Sequence, residues 1–538
     1  MHQLNPSSSN AEAGLGSSLD DLRSARALVI DASPNARSML RGTLLELGLK
    51  SDQVKQAGRY GEARAMLEGG RYDIVLCDYH FDETELTGSD LVAELRQGNL
   101  LPYSTVFIMV TSEANYGKVA EAAESALDSY LLKPHTQNSL TQRLTVARQR
   151  KRSLAAIFKA LDDEDYDTAA TLCLERFHAK GDYWLYAARI GGELMLRLGR
   201  FDEARQLFQA VDATKALPWA RLGIAQAQLD GGHVAPACQT LESLITDNPN
   251  YADAYDVLGR AYFQGGQVER AYDIYRKAVS ITPSSLTRLQ KMGMLAFHLG
   301  KTGEASHALE RAAELGAGSS QFDPQSLVLL AFCQFDNGQA KALQSAVAQI
   351  AKLQQQTPRS ARLRRMYELL HVMSLLDRQV PEAVRRIKNM PREFAMPDYD
   401  LEAASNMLGL LMRLHKAEIT IDEARTWVER LARRFCTSKS ATDMLSLMVR
   451  EHADYAGLVK EVYAFIMDQA AQALSRSKDG DVQGALQALL ALATETGNLK
   501  LVDLCEMVLQ RYRSAVNDAG LVTQVQVLRK KYGRLPSS

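Results

Sequence analysis

Between residues 25 and 150, short apolar runs alternate with stretches of helical period. The runs ALVID (27–31), QVKQA (53–57), DIVLCD (73–78), TVFIMVT (105–111) and SYLLK (129–133) read as strands. Between them ARSMLRGTLLELG, GEARAMLEGG, GSDLVAELRQG and YGKVAEAAESAL repeat their apolar residues at helical spacing, and a last helix starts near Gln137. Strand and helix alternating in units this short predict an α/β fold, a doubly wound five-stranded parallel sheet with helices on both faces. The first, third and fourth strands are almost wholly apolar, as burial on both faces requires. Past residue 155 the strand signal ends and only helical patterns continue, so an all-α region follows.

That region repeats itself. The stretch AYDVLGRAYFQGGQVERAYDIYRKAVSITP, residues 254–283, holds Gly259, Ala271, Tyr275 and Ala278; 34 positions later stand Gly293, Ala305, Leu309 and Ala312. Thirty-four positions earlier, Ala237, Leu241, Leu244 and Pro249 match Ala271, Tyr275, Ala278 and Pro283. Gly223, in WARLG after Trp219, is offset by two, which predicts a longer turn at DGGHVAP. Small residues at fixed slots let paired helices approach, aromatics fill the gap to the next pair, and proline stops the second helix. Four or five such hairpins fit between 155 and 320, and AFCQFDNGQ (331–339) carries the pattern on. Beyond 356 the register loosens, yet QVPEAVRRI, IDEARTWVERLA and GDVQGALQALL still read as second helices of hairpins. Trp219, Tyr262 and Tyr275 are expected in the core.

In an open parallel sheet the ligand site lies beyond the carboxyl ends of the strands. Those ends hold Asp31, Asp78, Thr111 with Ser112, and Lys133 before Pro134. Two neighbouring carboxylates repel unless a cation lies between them. A divalent metal with hard oxygen ligands, magnesium above all, would serve. A carboxylate beside it can attack phosphorus and form an aspartyl phosphate, with lysine and a hydroxyl on the phosphoryl oxygens. Plainer readings stand beside this one. Asp78 would be a strand-end cap, Asp31 the cap of the helix begun by DASPNAR, Tyr130 a core aromatic and Lys133 a solvated lysine.

The motifs LVIDASPNAR, DIVLCDY, MVTSEA and SYLLKP, in this order over residues 25–148, resemble the receiver domain of bacterial two-component response regulators, with its flavodoxin-like fold. The resemblance implies that Asp78 is the phosphoacceptor and that Asp31, Asp78 and the backbone carbonyl of His80 hold Mg2+. It makes Thr111 and Tyr130 the switch pair and Lys133 the phosphate-contacting base, with a cis Lys133–Pro134 bond. The family usually has two adjacent acids after its first strand, whereas Ala32 follows Asp31 here, which weakens the expected metal site; Asp82, Glu83 and Glu85 are the substitutes at hand. The 34-residue helix–turn–helix period resembles the tetratricopeptide repeat (TPR), an α-helical superhelix whose groove binds protein segments.

The expected organisation is a polar tail at 1–24, a receiver at 25–148, a linker helix with TPR repeats at 149–355 and irregular TPR-like repeats at 356–538. Net charge of −1 gives no basic field for nucleic acid or acidic membrane. The junction RQRKRS, with Arg148, Arg150, Lys151 and Arg152, reads as the solvated face of the last receiver helix. Six scattered cysteines without a CxxC pair fit a reducing, cytoplasmic setting, and the longest apolar runs fall short of a bilayer span. GxxxxGK[ST], HExxH and GxSxG patterns are absent, and His80 stands where aspartate-based phosphatases keep a second acid, so no enzyme is expected. The expected function is a response regulator in which phosphorylation of Asp78 controls protein binding by the helical region. Its partners would be a sensor histidine kinase or phosphotransfer protein, a protein held in the TPR groove, and a second copy of the chain through the receiver. A phosphorylation-independent scaffold and a regulator of transcription are the alternatives.

Overall fold

The structure is a computed structural model. It describes residues 24–81, 87–97, 100–111, 128–316, 319, 321–512 and 518–533. The described residues fall into two compact units: one comprises those between 24 and 262, 270 and 289, and 312 and 322, the other those between 263 and 269, 290 and 311, and 323 and 533.

The first unit begins with five parallel strands, β1 (Ala27–Ile30), β2 (Val54–Ala57), β3 (Ile74–Asp78), β4 (Val106–Thr111) and β5 (Ser129–Leu132), in the order β2-β1-β3-β4-β5. Alternate side chains serve opposite faces, as strand geometry dictates. Val29, Leu76, Ile108 and Val110 pack with Leu40 and Leu44 of helix α1 (Pro34–Glu46) and with Leu140 and Leu144 of the helix after β5. Leu28, Ile30, Val75, Cys77, Phe107 and Met109 pack instead with Leu67 of α2 (Tyr60–Gly69) and Leu91 and Leu95 of α3 (Gly88–Gln97). The sequence pattern YGKVAEAAESAL falls outside the described residues. Helix α4 (Gln137–Ser153) starts on a Thr136 cap, whose hydroxyl accepts from the Ser139 N–H at 3.2 Å, and runs through the basic stretch.

Helical hairpins follow: α5 (Ala155–Asp162) with α6 (Tyr166–His178), α7 (Trp184–Arg197) with α8 (Phe201–Thr214), α9 (Pro218–Asp230) with α10 (Val234–Asp247), α11 (Ala252–Gln264) with α12 (Val268–Ile281), and α13 (Leu286–His298) with α14 (Thr302–Leu315). Their interlock is small against large. A Cβ on Gly192 would stand 2.2 Å from the Phe208 ring and one on Gly223 2.6 Å from it, so both glycines hold one phenylalanine. In the same way Gly259 faces Tyr275 and Gly293 faces Leu309. Tyr262 and Tyr275 are buried, and Trp219 is partly buried.

The longer turn expected near Gly223 does not exist. α9, α11 and α13 start 34 residues apart, at 218, 252 and 286, and α9–α10 and α11–α12 are each joined by three residues. The offset has another cause: Gly223 meets Phe208 of the preceding hairpin, while Gly259 meets Tyr275 of its own. What keeps the period is the turn. Gly232, Gly266 and Gly300, also 34 apart, have φ of 84°, 72° and 77°, a conformation glycine adopts without strain.

In the second unit the hairpin α15 (Gln325–Asp336) with α16 (Ala340–Gln356) continues this form, with Gly338 at φ 67° in its turn. The three patterns read beyond 356 are second helices: α18 (Val380–Ile387) after α17 (Ala361–Leu375), α20 (Ala424–Phe435) after α19 (Leu401–Lys416), and α23 (Val482–Thr496) after α22 (Ala453–Lys478). A single helix, α21 (Lys439–Met448), interrupts the pairing, and α24 (Leu499–Arg511) and α25 (Ala519–Tyr532) end the chain. α19 is buried from Ala404 to Leu414, and Asn406 exchanges two hydrogen bonds with Gln325, at 2.7 and 2.8 Å.

Candidate functional site

Parallel pairing brings the strand ends together. Ile30 lies opposite Cys77, so Asp31, one residue past β1, stands beside Asp78, the last residue of β3. Thr111 pairs with Leu132, and the Lys133 N–H donates to the Thr111 carbonyl at 2.6 Å. From there Lys133 reaches back across the rim. Its Nζ donates to Asp31 Oδ2 and to Asp78 Oδ2, both at 2.7 Å. The Tyr79 N–H donates to the other Asp78 oxygen at 2.7 Å, and the Ser33 N–H to Asp31 Oδ1 at 2.8 Å. Ser33, whose hydroxyl accepts from Ala36, is the cap of α1, so Asp31 is left to the rim. Gly88 closes on the site from α3: its N–H donates to the Tyr79 carbonyl, and a Cβ there would stand 2.5 Å from the Asp78 carbonyl oxygen.

The electrostatics follow from partial burial. Desolvation pushes the Asp78 carboxyl above its ordinary range, while the Lys133 hydrogen bond pulls the other way. Burial works to lower the Lys133 ammonium, but its bonds to Asp31 and Asp78 outweigh that and hold it above the usual lysine range. Lys133 thus takes the place between the carboxylates that the sequence gives to a cation. The donor set suits a hard divalent ion in kind, two carboxylates and a nearby main-chain carbonyl, but Ala32 offers no side-chain oxygen. Among the described residues no group of three or more His, Cys, Asp and Glu side chains is placed to hold a metal ion.

Asp31, Asp78 and Lys133 therefore converge, and Thr111, fully buried, joins them through the main chain. His80 lies two residues past Asp78, its exposed ring edge-on to Tyr79 at 4.9 Å. Tyr130, opposite Met109, is half-buried against the α2–α3 side of the core. The Lys133–Pro134 bond is cis. Ser112, Asp82, Glu83 and Glu85 lie outside the described residues.

A family model for the response regulator receiver domain matches residues 27–145. These residues are a receiver domain. Two tetratricopeptide repeat models match 219–251 and 252–285, so the chain joins a receiver to TPR repeats. The receiver is similar to chemotaxis protein CheY-3 of Vibrio cholerae, 29% identical over 117 residues, which cover 22% of this chain and 86% of that one. It is similar also to chemotaxis protein CheY of Pseudomonas aeruginosa, 28% identical over 117 residues, 22% of this chain and 90% of that one. Among solved structures, a thermophilic TPR protein of Thermus thermophilus is 27% identical, with TM-score 0.26, covering 34% of this chain and 95% of that one.

At the opposite end of the receiver strands lies a cluster that sequence reasoning missed. Asp128, just before β5, accepts from the Phe107 N–H of β4 at 3.0 Å. Its other oxygen takes Arg150 at 2.9 Å and Lys151 at 3.1 Å. The basic stretch is therefore not simply solvated: Lys151 is 9% exposed and bonds the Tyr103 carbonyl, because α5–α7 pack over that side of α4. Lys151 lies over the Phe158 ring of α5 and Arg150 over Tyr186 of α7, at 4.3 and 4.4 Å. Asp162 of α5 accepts from the Tyr103 N–H at 2.6 Å and the Ser104 hydroxyl at 3.2 Å. The first hairpins are thus fastened to the amino ends of β4 and β5.

Proposed function

We propose that this chain is a response regulator in which phosphorylation of Asp78 alters protein binding by the helical region. In the transfer step an Asp78 carboxylate oxygen bonds to phosphorus while the donor's bond to phosphorus breaks and its electron pair leaves with the donor. A histidine kinase or phosphotransfer protein suits this chemistry as donor. Lys133 releases one of its two carboxylate contacts to meet the incoming phosphoryl oxygens, and the buried Thr111 hydroxyl offers a further bond. CheY-type receivers generally bind Mg2+; Asp31, Asp78 and the His80 carbonyl are the groups here that would hold it. When bound it supplies positive charge against the phosphoryl oxygens.

One observation carries the link to the repeats. Thr111 ends β4 and Lys133 follows β5, and at the other end of the two strands Asp128, the residue before β5, holds the Phe107 N–H of β4 and the basic side chains of α4. A shift of either strand at the phosphorylated rim therefore reaches α5–α7 through a bonded path rather than a loose linker. Ala32 supports a second reading, a scaffold whose receiver takes no phosphate. Acetyl phosphate treatment with and without magnesium, read as intact mass, separates the two. A magnesium-dependent gain of one phosphoryl group, absent in Asp78→Asn, is expected; equal masses with every phosphodonor tried, cognate kinase included, would leave the scaffold.

A further inference from the structure

In the second unit a cleft of about 250 Å3 opens where α13, α15 and α19 end, beside the residues that follow α21. Its floor is Phe297, His298, Met412, Arg413 and Met448; its rim carries Lys416 and Arg450 with the acids Asp336 and Glu451. Two nitrogens on the floor have no hydrogen-bond partner among the described residues: Nδ1 of His298 and Nε of Arg413. Both residues are only 6% exposed. The Arg413 Nε–H is a donor, and the His298 Nδ1 is a donor or an acceptor according to which ring nitrogen carries the proton. A buried polar atom without a partner is costly and rare in folded proteins, and a ligand that bonds it removes the cost.

The charges decide which ligand. Arg413 donates to Asp336 at 2.5 Å and lies against the stacked rings of Phe332 and Phe297, 4.3 and 5.6 Å from their centres. Lys416 lies 2.9 Å from Glu451 and 3.3 Å from Asp336. Arg450 donates to the His298 carbonyl at 2.5 Å and has no carboxylate partner among the described residues. Three cations face two acids, so one positive charge is in excess, at the mouth. Burial, reinforced by the Arg450 charge, pushes His298 down to about 4, so near neutral pH the ring is uncharged and one of its nitrogens carries a proton to donate. A volume of about 250 Å3 equals on the order of eight waters at ~30 Å3 each, enough for a small organic group.

We infer that this cleft binds a carboxylate with a short apolar body, its oxygens on Arg450 and His298 and its apolar part on Phe297, Met412 and Met448. A single excess charge matches a monoanion, and the methionine and phenylalanine floor favours an organic acid over inorganic phosphate. The group has two sources, a free organic acid or the end of a peptide chain.

Ligand-observed saturation-transfer NMR on the full chain tests this, with 3-phenylpropanoate, its amide, and an acetylated tripeptide ending in phenylalanine as probes. Both acids should bind, with the amide about tenfold weaker. The tighter of the two acids identifies the source. Arg450→Gln, at an exposed position, should weaken the acids about tenfold and leave the amide unchanged. Lys133→Ala, which removes the rim's cation and should impair labelling of Asp78, is expected to leave binding of the two acids unaltered, which excludes binding at the Asp78 rim. Equal binding of acid and amide, or unchanged acid binding in Arg450→Gln, overturns the proposal.

Discussion

The receiver and the repeats are held together by opposite means. In the receiver, charged side chains far apart in sequence meet at the two ends of one sheet: Asp31 and Lys133 across 102 residues at one end, Asp128 and Arg150 across 22 at the other. In the hairpins from α7 to α12 the interlocks of glycine are short-range and apolar, a glycine of one helix against an aromatic of the next, as with Gly192 and Phe208 or Gly259 and Tyr275. Long-range polar contacts make two ends of a sheet respond together; local interlocks confine a disturbance to neighbours. On the proposed function, a signal would start in the receiver, and the repeats could vary without disturbing it.

Phe208→Ala should separate the two regions most strongly. It empties the space that Gly192 and Gly223 leave for the ring, at a cost of about 3–5 kcal/mol. Urea unfolding followed by circular dichroism should show that loss in the helical signal, while acetyl phosphate still labels Asp78. Equal loss of labelling would mean that the repeats support the rim directly. Next comes Asp128→Ala, which leaves Lys151 buried without its carboxylate and should cost about 3 kcal/mol. Here receiver and first hairpins should destabilise together, seen as parallel increases in amide exchange; exchange rising in the receiver alone would refute the shared seam.

The Lys151 seam should also show in the pH dependence of stability. Burial pushes the Lys151 ammonium down to about 8, against 10.5 unperturbed, although Asp128 opposes the shift. Between those values the unfolded chain binds more protons than the folded one, so stability rises with pH across the window, by on the order of 1–3 kcal/mol. That gain is complete above about 10.5 and lost as pH falls through about 8. Lys151→Met should flatten the denaturation profile over this range, and a slope unchanged in the variant would assign it to other groups. The smallest effect is Gly266→Ala, where φ of 72° sets a left-handed turn. A loss of about 1 kcal/mol, confined to the helical transition, is expected by thermal unfolding.

Much of this was legible in the sequence. The five strands lie within a residue or two of their expected ends, and Asp31, Asp78, Thr111 and Lys133 stood out because each ends an apolar run. Fold class and the 34-residue period were readable because both depend on local spacing. Asp128 and Lys151 were not. A lone acid before a strand and a basic run on a helix read as solvent-facing, and only the packing of α5–α7 over α4 reverses that. The shifted Gly223 misled for a related reason: the sequence shows that a small residue is needed but not which neighbour's ring it admits.

On the proposed function, events at Asp78 reach the repeats along β4 and β5. Amide hydrogen exchange of the full chain, compared with and without phosphorylation, tests it most directly. Altered protection in α5–α7, absent in Thr111→Ala although Asp78 is still labelled, is the predicted result. Phosphorylation that changes exchange at the rim and leaves α5–α7 untouched would contradict it.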